Sequence, residues 1–315
     1  MQKILLFTIL IIFLICLKFC KRKIVFSKKK KIMTNNKYFN NFSDKDLEVR
    51  NCETKEYCMK HYGISIKDFS NEEKIIFHDI IDILKNKIEN KILIIFDKIG
   101  FVKVDNSIEG GLPHTRKKYI ILSENMVESI INKYKNNKND IFIYKLIAHE
   151  QFHIFQRYNK ELFNTLYREY WDLVKFNGEI PEEIFNLIRN NPDADKNDNW
   201  LFKISKSTFI LPLCLYNKNA RVITNTINTY FYIEYKNGKH IFSDYKKDYK
   251  NKNKLSELKE YREYFGGEGA NNYHPNELSS STFENLIDNL FNGTIYKYEG
   301  YKKLIKFLLD FKLIN

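Results

Sequence analysis

The sequence predicts an α+β fold that is mainly helical, with a small sheet and a β-meander. Two observations carry this prediction. Apolar residues recur every three or four positions in residues 75–88, 124–134 and 141–155, which is the spacing of amphipathic helices. Between residues 208 and 244 the pattern changes to β-branched and aromatic runs, which favour strands. The chain of 315 residues, 15% of them aromatic, is long enough to bury one large core.

The N-terminus has a distinct composition. Residues 4–17 are apolar apart from one Thr, and residues 1–33 contain nine Lys or Arg and no acidic residue. No small-x-small cleavage site follows the apolar run, so we expect an uncleaved single-pass N-terminal membrane anchor rather than a signal peptide. Basic residues concentrate on the cytoplasmic side of such segments, which predicts a cytoplasmic-side domain. The membrane is therefore a predicted partner, contacted through the N-terminal segment.

Composition divides the chain into three parts. Residues 1–33 are the predicted hydrophobic anchor with its polybasic flank, residues 34–69 a polar linker rich in Asn, Lys and Ser, and residues 70–315 a globular domain. Subtracting the nine basic residues of the first part from the formal +13 leaves only +4 for residues 34–315. This mild charge predicts no nucleic-acid partner for the globular domain. Membrane-surface or nucleic-acid binding driven by the basic tail remains an alternative.

Within the globular domain, the first elements can be placed in order. Ser70 and Glu73 have the spacing of a capping box, which predicts a helix onward to about residue 97. Residues 101–104 read as a short strand, and residues 116–123 as a second strand that ends on Ser123. Ser123 is a suitable N-cap for a helix over residues 124–134.

The next helix carries the most informative residues. Asp140 is a suitable N-cap, and the helix it begins contains His149, Glu150 and His153 in the pattern H-E-x-x-H. Residues four apart lie on the same helix face, so two imidazoles can meet one metal ion while the carboxylate leans toward the same space. Zinc accepts neutral nitrogen donors, and a neighbouring carboxylate can take a proton from water.

This motif resembles that of the zincin metallopeptidases. The resemblance implies a zinc ion held by His149 and His153, Glu150 as general base, and a peptide or protein substrate. In zincins the strand before the active-site helix binds extended substrate, so residues 118–122 resemble that strand. Arg116, just upstream, is open to two interpretations: binding a substrate carboxylate, or holding its own loop.

Three further segments follow the motif. Residues 160–175 form a predicted aromatic helix and residues 182–189 a third helix opened by Pro181. Residues 191–195 contain two Asp beside a Pro, which favours a turn over a metal site. Asn237-Gly238 then marks a hairpin within the predicted meander.

The third zinc ligand comes from a later segment. Gluzincins, a division of the zincins, often take this ligand from the Glu of an N-E-x-x-S-D motif on a later helix. Asn276, Glu277 and Ser280 match that pattern, whereas Ser281 stands where the Asp would be. We therefore expect Glu277 as the third ligand, with His274 as the runner-up and Glu284 behind it. The missing Asp normally orients a ligand His, so another acceptor must do so.

The sequence leaves the oxyanion-stabilising residue undecided. Four residues remain as candidates: Tyr273, His240, Arg262 and Tyr296. The resulting hypothesis is a zinc metallopeptidase of gluzincin type with a zincin-like catalytic domain in residues 70–315. The alternative is a catalytically inactive zinc-binding protein that acts as a membrane-tethered interaction module, suggested by the missing Asp.

Overall fold

The computed structural model describes residues 24–88, 98–205, 207–251, 253–266 and 273–314, together with Ile92 and Phe96. The mixed α+β fold is confirmed, because this part of the chain contains two sheets and many helices. The strands are β1 (Val25–Phe26), β2 (Ile66–Lys67), β3 (Gly100–Val104), β4 (His114–Arg116), β5 (Tyr119–Ser123), β6 (Val174–Lys175), β7 (Trp200–Lys203), β8 (Thr208–Tyr216), β9 (Thr226–Lys236) and β10 (Lys239–Phe242). The α-helices are α1 (Asn36–Asn40), α2 (Asp44–Glu48), α3 (Lys55–Ile64), α4 (Asn71–Ile88), α5 (Glu124–Asn136), α6 (Ile141–Tyr158), α7 (Lys160–Thr165), α8 (Glu182–Phe185), α9 (Tyr245–Asn251), α10 (Lys259–Phe265), α11 (Pro275–Asn292) and α12 (Glu299–Asp310).

The first sheet has the order β1-β3-β5-β4, with β2 also paired to β3. β3 runs parallel to β1 and β5, and β4 runs antiparallel to β5 at the edge. The predicted strand over residues 116–123 is therefore two strands. The chain reverses at Lys117, whose φ of 53° lies in the left-handed region and ends the extended run.

The second sheet is a β-meander, which the sequence predicted for residues 208–244 and which β6 and β7 extend toward the N-terminus. Its five strands follow one another in the antiparallel order β10-β9-β8-β7-β6. Asn237 and Gly238 connect β9 to β10 with φ values of 51° and 80°, which are the positive angles of a tight hairpin turn. This sheet lies in the chain between α7 and α11 and so separates the two helices that build the site described below.

Helices α6 and α11 pack against each other in the main core. The rings of Phe152 on α6 and Phe283 on α11 are stacked with centroids 4.3 Å apart, and both side chains are fully buried. Aromatic pairs of this kind contribute packing energy beyond the area they bury. The contact fixes the faces of the two helices that carry His149, His153 and Glu277.

Residues 34–69 are folded onto the first sheet. They contain the short helices α1, α2 and α3, and Phe39 and Tyr62 are buried against Val102 and Ile121 of the sheet. The composition had suggested a polar linker, because many Asn, Lys and Ser surround a few large aromatic residues. Those few residues are sufficient to bury this segment.

The predicted N-terminal anchor requires correction. The apolar run over residues 4–17 lies outside the described residues. Among the residues that are described, no helix is both long and apolar enough to cross a membrane. A single-pass anchor is not supported, and the predicted membrane and cytoplasmic-side location is withdrawn.

Candidate metal centre

Helix α6 presents its two histidines on one buried face. The helix begins at Asp140, whose side chain accepts a hydrogen bond from the N–H of Phe142 at 3.0 Å. His149 and His153 follow one turn apart, and their Nε2 atoms lie 3.0 Å from each other. Both residues are buried, so neither imidazole is hydrated as a surface histidine would be.

Glu277 completes a three-donor cluster. Its Oε2 atom lies 3.5 Å from Nε2 of His149 and 3.4 Å from Nε2 of His153. Donor atoms of a tetrahedral zinc site, each about 2.0–2.1 Å from the metal, are separated by about 3.3 Å. The spacing of these three buried groups therefore fits a single ion, and the cluster could hold a metal.

His274, the runner-up ligand, has another role in the structure. It is the N-cap of α11, where its Nδ1 accepts a hydrogen bond from the N–H of Asn276 at 3.1 Å. Its Nε2 donates to the carbonyl of Asp198 at 2.9 Å. Because both ring nitrogens are engaged in this way, His274 stays outside the cluster and helps to set the start of the helix that carries Glu277.

Each of the two histidines is oriented by a hydrogen bond at its Nδ1 atom. Nδ1 of His149 donates to Oε1 of Glu284 at 2.7 Å, and Nδ1 of His153 donates to Oε1 of Gln156 at 2.9 Å. In the neutral form that a metal binds, the proton lies on Nδ1 and each imidazole turns its Nε2 lone pair toward Glu277. Glu284 thus supplies the acceptor that Ser281 cannot, one helical turn further along α11. Sequence reasoning had placed Glu284 only among the ligand candidates.

Gln156 was not anticipated from the sequence. Its amide is fixed in orientation because Nε2 donates to the carbonyl of Asn276 at 3.0 Å and to Oγ of Ser279 at 2.5 Å. The amide oxygen therefore faces His153. Its position one turn after His153 on α6 is a weak signal, because many helices contain a Gln at such a spacing.

The charges of the cluster depend on one another. Burial acts to lower the pKa of His149, but hydrogen bonds to Glu277 and Glu284 raise it well above its ordinary value. Burial acts to raise the pKa of Glu277, but the two histidines hold it well below its ordinary value. The carboxylates thus favour positive charge between the imidazoles, as in a cation site.

Glu150 lies beside the cluster with a free oxygen. It is buried, and in the described part of the chain its Oε2 atom has no hydrogen-bond partner. Burial, reinforced by the nearby Asp193, raises its pKa from 4.5 to about 8. Glu150 and the three cluster residues line one cavity of about 440 Å³. The cavity therefore contains both a cluster that could hold a metal ion and a carboxyl group able to exchange a proton.

The loop after α8 also contributes to the cavity. Asn191 donates from Nδ2 to Oε1 of Glu277 at 2.6 Å, so only the other carboxylate oxygen faces the histidines. Asp193 accepts from the N–H of Thr115 at 2.9 Å and pairs with Arg157 at 2.8 Å. The turn interpretation of residues 191–195 missed these contacts, because they depend on segments distant in the sequence.

The edge of the cavity is formed by β4. The sequence had suggested residues 118–122 for the cleft strand, but β5 lies inside the sheet and β4 is at its edge. His114 of β4 lines the cavity. Arg116 instead forms an ion pair with Glu109 at 3.3 Å and stacks on Tyr38 at 3.5 Å, which fits the structural interpretation of this arginine.

Of the four candidates for oxyanion stabilisation, Tyr273 lies nearest to the cluster. Its hydroxyl accepts a hydrogen bond at 2.8 Å from Asn191, the residue that also holds Glu277. His240 contacts Asn177 beside the second sheet, and Tyr296 donates to Asp288 at 2.5 Å. Arg262 is exposed on α10.

No family model, curated protein or solved structure matches this chain. The functional argument therefore depends on the chemistry of the cavity.

Proposed function

We propose that this chain is a zinc-dependent metallopeptidase with a zincin-like catalytic domain. The observation that carries the proposal is the position of Glu150, a buried glutamate with an unpaired carboxylate oxygen, which lines the same cavity as the cluster of His149, His153 and Glu277. Two neutral nitrogens and one carboxylate oxygen are a common donor set for catalytic zinc, which keeps one further position open. When bound, zinc activates water and a peptide carbonyl as a Lewis acid.

The residues of the chain divide the remaining work. Glu150 accepts the proton of the attacking water at Oε2 and returns it to the nitrogen of the leaving amine. Glu284 and Gln156 keep the imidazoles of His149 and His153 in the tautomer that binds metal. Asn191 holds the far oxygen of Glu277, which leaves the other oxygen directed at the histidines.

The test uses the full chain. It combines analysis of the zinc content of the chain with an assay of whether the chain cleaves peptides. We expect about one zinc per chain and cleavage of a broad peptide library. Glu150→Gln should retain zinc and lose about 100- to 10,000-fold in rate, the usual contribution of a general base. The double variant His149→Ala/His153→Ala should lose the metal. Glu161→Gln makes the same chemical change on the exposed surface of α7 and should behave as wild type.

Two results would contradict the proposal. Wild-type turnover by zinc-loaded Glu150→Gln would remove Glu150 from the mechanism. Failure of the wild-type chain to bind added zinc would remove the metal and the peptidase with it.

One observation favours an inactive zinc-binding protein as the second candidate. The N–H of Thr115 donates a hydrogen bond to Asp193. This N–H lies on the unpaired edge of β4, and an extended substrate would need it to add as a further strand. A substrate must displace this contact or bind beside it. Stoichiometric zinc without cleavage of any library peptide would favour this candidate.

A further inference from the structure

We propose that Arg189 selects the substrate by binding a carboxylate group close to the scissile bond. The inference rests on the proposed function, because it names the class of peptide that the same cavity would receive. Arg189 lines the cavity together with His149 and Glu150. Its role would be to determine specificity, since it has no place in the proton transfers assigned to Glu150.

The backbone around Arg189 is fixed by the second sheet. The N–H of Arg189 donates to the carbonyl of Cys214 on β8 at 2.9 Å, and Ile188 forms a bridge with Leu215. The N–H of Tyr216 in turn donates to the carbonyl of Leu187 at 2.8 Å. A side chain on such a support enters the cavity at a defined point, which reduces the entropy lost when it binds a ligand.

The other cations near the cavity already have carboxylate partners. Lys145 pairs with Glu284 at 3.5 Å, and Arg157 pairs with Asp193 at 2.8 Å. Arg189 differs, because none of the carboxylates in the described ranges lies within ion-pair distance of its guanidinium. Its Nε atom is buried and has no hydrogen-bond partner there.

The groups that do surround Arg189 are weak partners for a cation. Its side chain contacts the thiol of Cys214 and lies near the phenol of Tyr273. Glu109 acts on it only at longer range, and that carboxylate is already bound by two arginines, at 2.9 Å by Arg50 and at 3.3 Å by Arg116. A guanidinium remains charged at every physiological pH, and its partial burial without a counter-ion is unfavourable.

A carboxylate is the ligand that suits this position. The guanidinium fork of an arginine donates two parallel hydrogen bonds to a planar carboxylate, and Arg189 carries this fork at the wall of the cavity. A peptide offers this group from two sources, the side chain of Asp or Glu and the C-terminus. Both place the same chemistry in the cavity, so the experiment must separate them.

Three pools of peptides of equal length separate the sources. The first contains Asp or Glu and ends in an amide, the second lacks acidic residues and ends in a free carboxylate, and the third lacks both. Binding is measured on zinc-loaded Glu150→Gln chain, where hydrolysis is suppressed, and cleavage is measured on the chain with Glu150 intact. We expect one carboxylate pool to bind about 10- to 100-fold more tightly than the neutral pool, as a charge-assisted hydrogen bond predicts.

The variants assign that preference to one side chain. Arg189→Met should reduce it to less than about twofold, and Arg189→Lys should restore part of it, because Lys keeps the charge but loses the fork. Arg221→Met makes the same change at a residue that is 81% exposed, and it should keep the full preference. Zinc content and binding of the neutral pool report whether each variant is folded.

The outcomes separate this inference from the proposed function. Cleavage with equal binding of all three pools leaves the peptidase in place and overturns the role of Arg189, without need of any variant. A carboxylate preference that survives in zinc-loaded Arg189→Met overturns it as well. A preference that depends on Arg189 in a chain that cleaves nothing supports carboxylate binding by Arg189, while the peptidase proposal and the selection of its substrate fail.

Discussion

Two buried glutamates line the same cavity and ionise in opposite ways. Glu109 and Glu150 are 1% and 5% exposed, so burial alone would raise the pKa of both. Instead the pKa of Glu109 falls to about 2, whereas that of Glu150 rises to about 8. At similar depth, the neighbouring charges therefore determine whether the effect of burial on the pKa prevails.

The neighbours of the two glutamates explain the difference. Glu109 lies between Arg50 at 2.9 Å and Arg116 at 3.3 Å, and these cations outweigh its burial. For Glu150, burial and the carboxylate of Asp193 both raise the pKa, and together they outweigh the two histidines, which lower it. The first glutamate is part of an internal ion-pair network, and the second lies in a region where carboxylates need a cation. A divalent metal at the cluster would supply that cation.

The largest effect should come from removing the carboxylate of the cluster formed by His149, His153 and Glu277. Glu277→Ala should abolish stoichiometric zinc binding, because two imidazoles alone hold zinc poorly. This loss of zinc affinity should exceed the decrease of about 10- to 100-fold that is typical when a group hydrogen-bonded to a metal ligand is removed. His274→Asn is the matched control, because Asn is also a good N-cap and should preserve both α11 and the zinc. Zinc titration with a competing chelator measures both affinities, and zinc loss in His274→Asn would restore the runner-up ligand.

The next effect concerns the glutamate of the ion-pair network. Glu109→Gln removes the charge between Arg50 and Arg116 and should lower the free energy of unfolding by about 3 kcal/mol at pH 7. Urea denaturation measures the change. Glu72→Gln, which removes a surface partner of Lys135, should leave stability nearly unchanged. Equal midpoints for wild type and Glu109→Gln would show that the network contributes nothing.

A smaller effect on zinc affinity is expected from Glu284, which accepts a hydrogen bond from His149. Glu284→Gln weakens the acceptor for Nδ1 of His149 and should reduce zinc affinity by about 10- to 100-fold, with the fold intact. Asp288→Asn, one turn further along the same helix, is the control because Asp288 contacts Tyr296 rather than a cluster histidine. If the two variants bind zinc equally well, Glu284 does not replace the missing Asp.

Local patterns in the sequence predicted those parts of the fold and site that depend on neighbouring residues. The helix that carries His149 and His153 follows from a cap and apolar spacing, and the Asn237-Gly238 hairpin from the angles that its turn requires. The prediction of Glu277 came from a family resemblance. The structure places it beside the two histidines.

The parts that the sequence did not predict depend on distant segments. Lys117 is an unusual residue at a positive φ, so the division of β4 from β5 has no clear signature. Asn191 donates a hydrogen bond to Glu277, 86 residues later in the chain, and no local sequence pattern predicts such a contact. The same holds for Arg189, whose significance comes from the carboxylate partners that its neighbours have and it lacks.

The smallest predicted effect is a pH dependence of opposite sign at the two glutamates in metal-free protein. The folded pKa of Glu109, about 2, lies below its ordinary 4.5, so its stabilisation is complete above pH 4.5 and is lost as the pH falls toward 2. The folded pKa of Glu150, about 8, lies above 4.5, so its stabilisation is present at low pH and is lost as the pH rises through 8.

Urea denaturation of metal-free wild type and Glu150→Gln between pH 5 and 9 tests the second half of this prediction. The wild type should lose at least about 1 kcal/mol relative to the variant over that interval, because Gln keeps the neutral state at every pH. Zinc-loaded protein should show little of this difference, since a cation beside Glu150 favours its ionised form. A constant difference in the metal-free pair would mean that Glu150 ionises as easily as a surface carboxylate. The contrast with Glu109 would then reflect the ion-pair network alone.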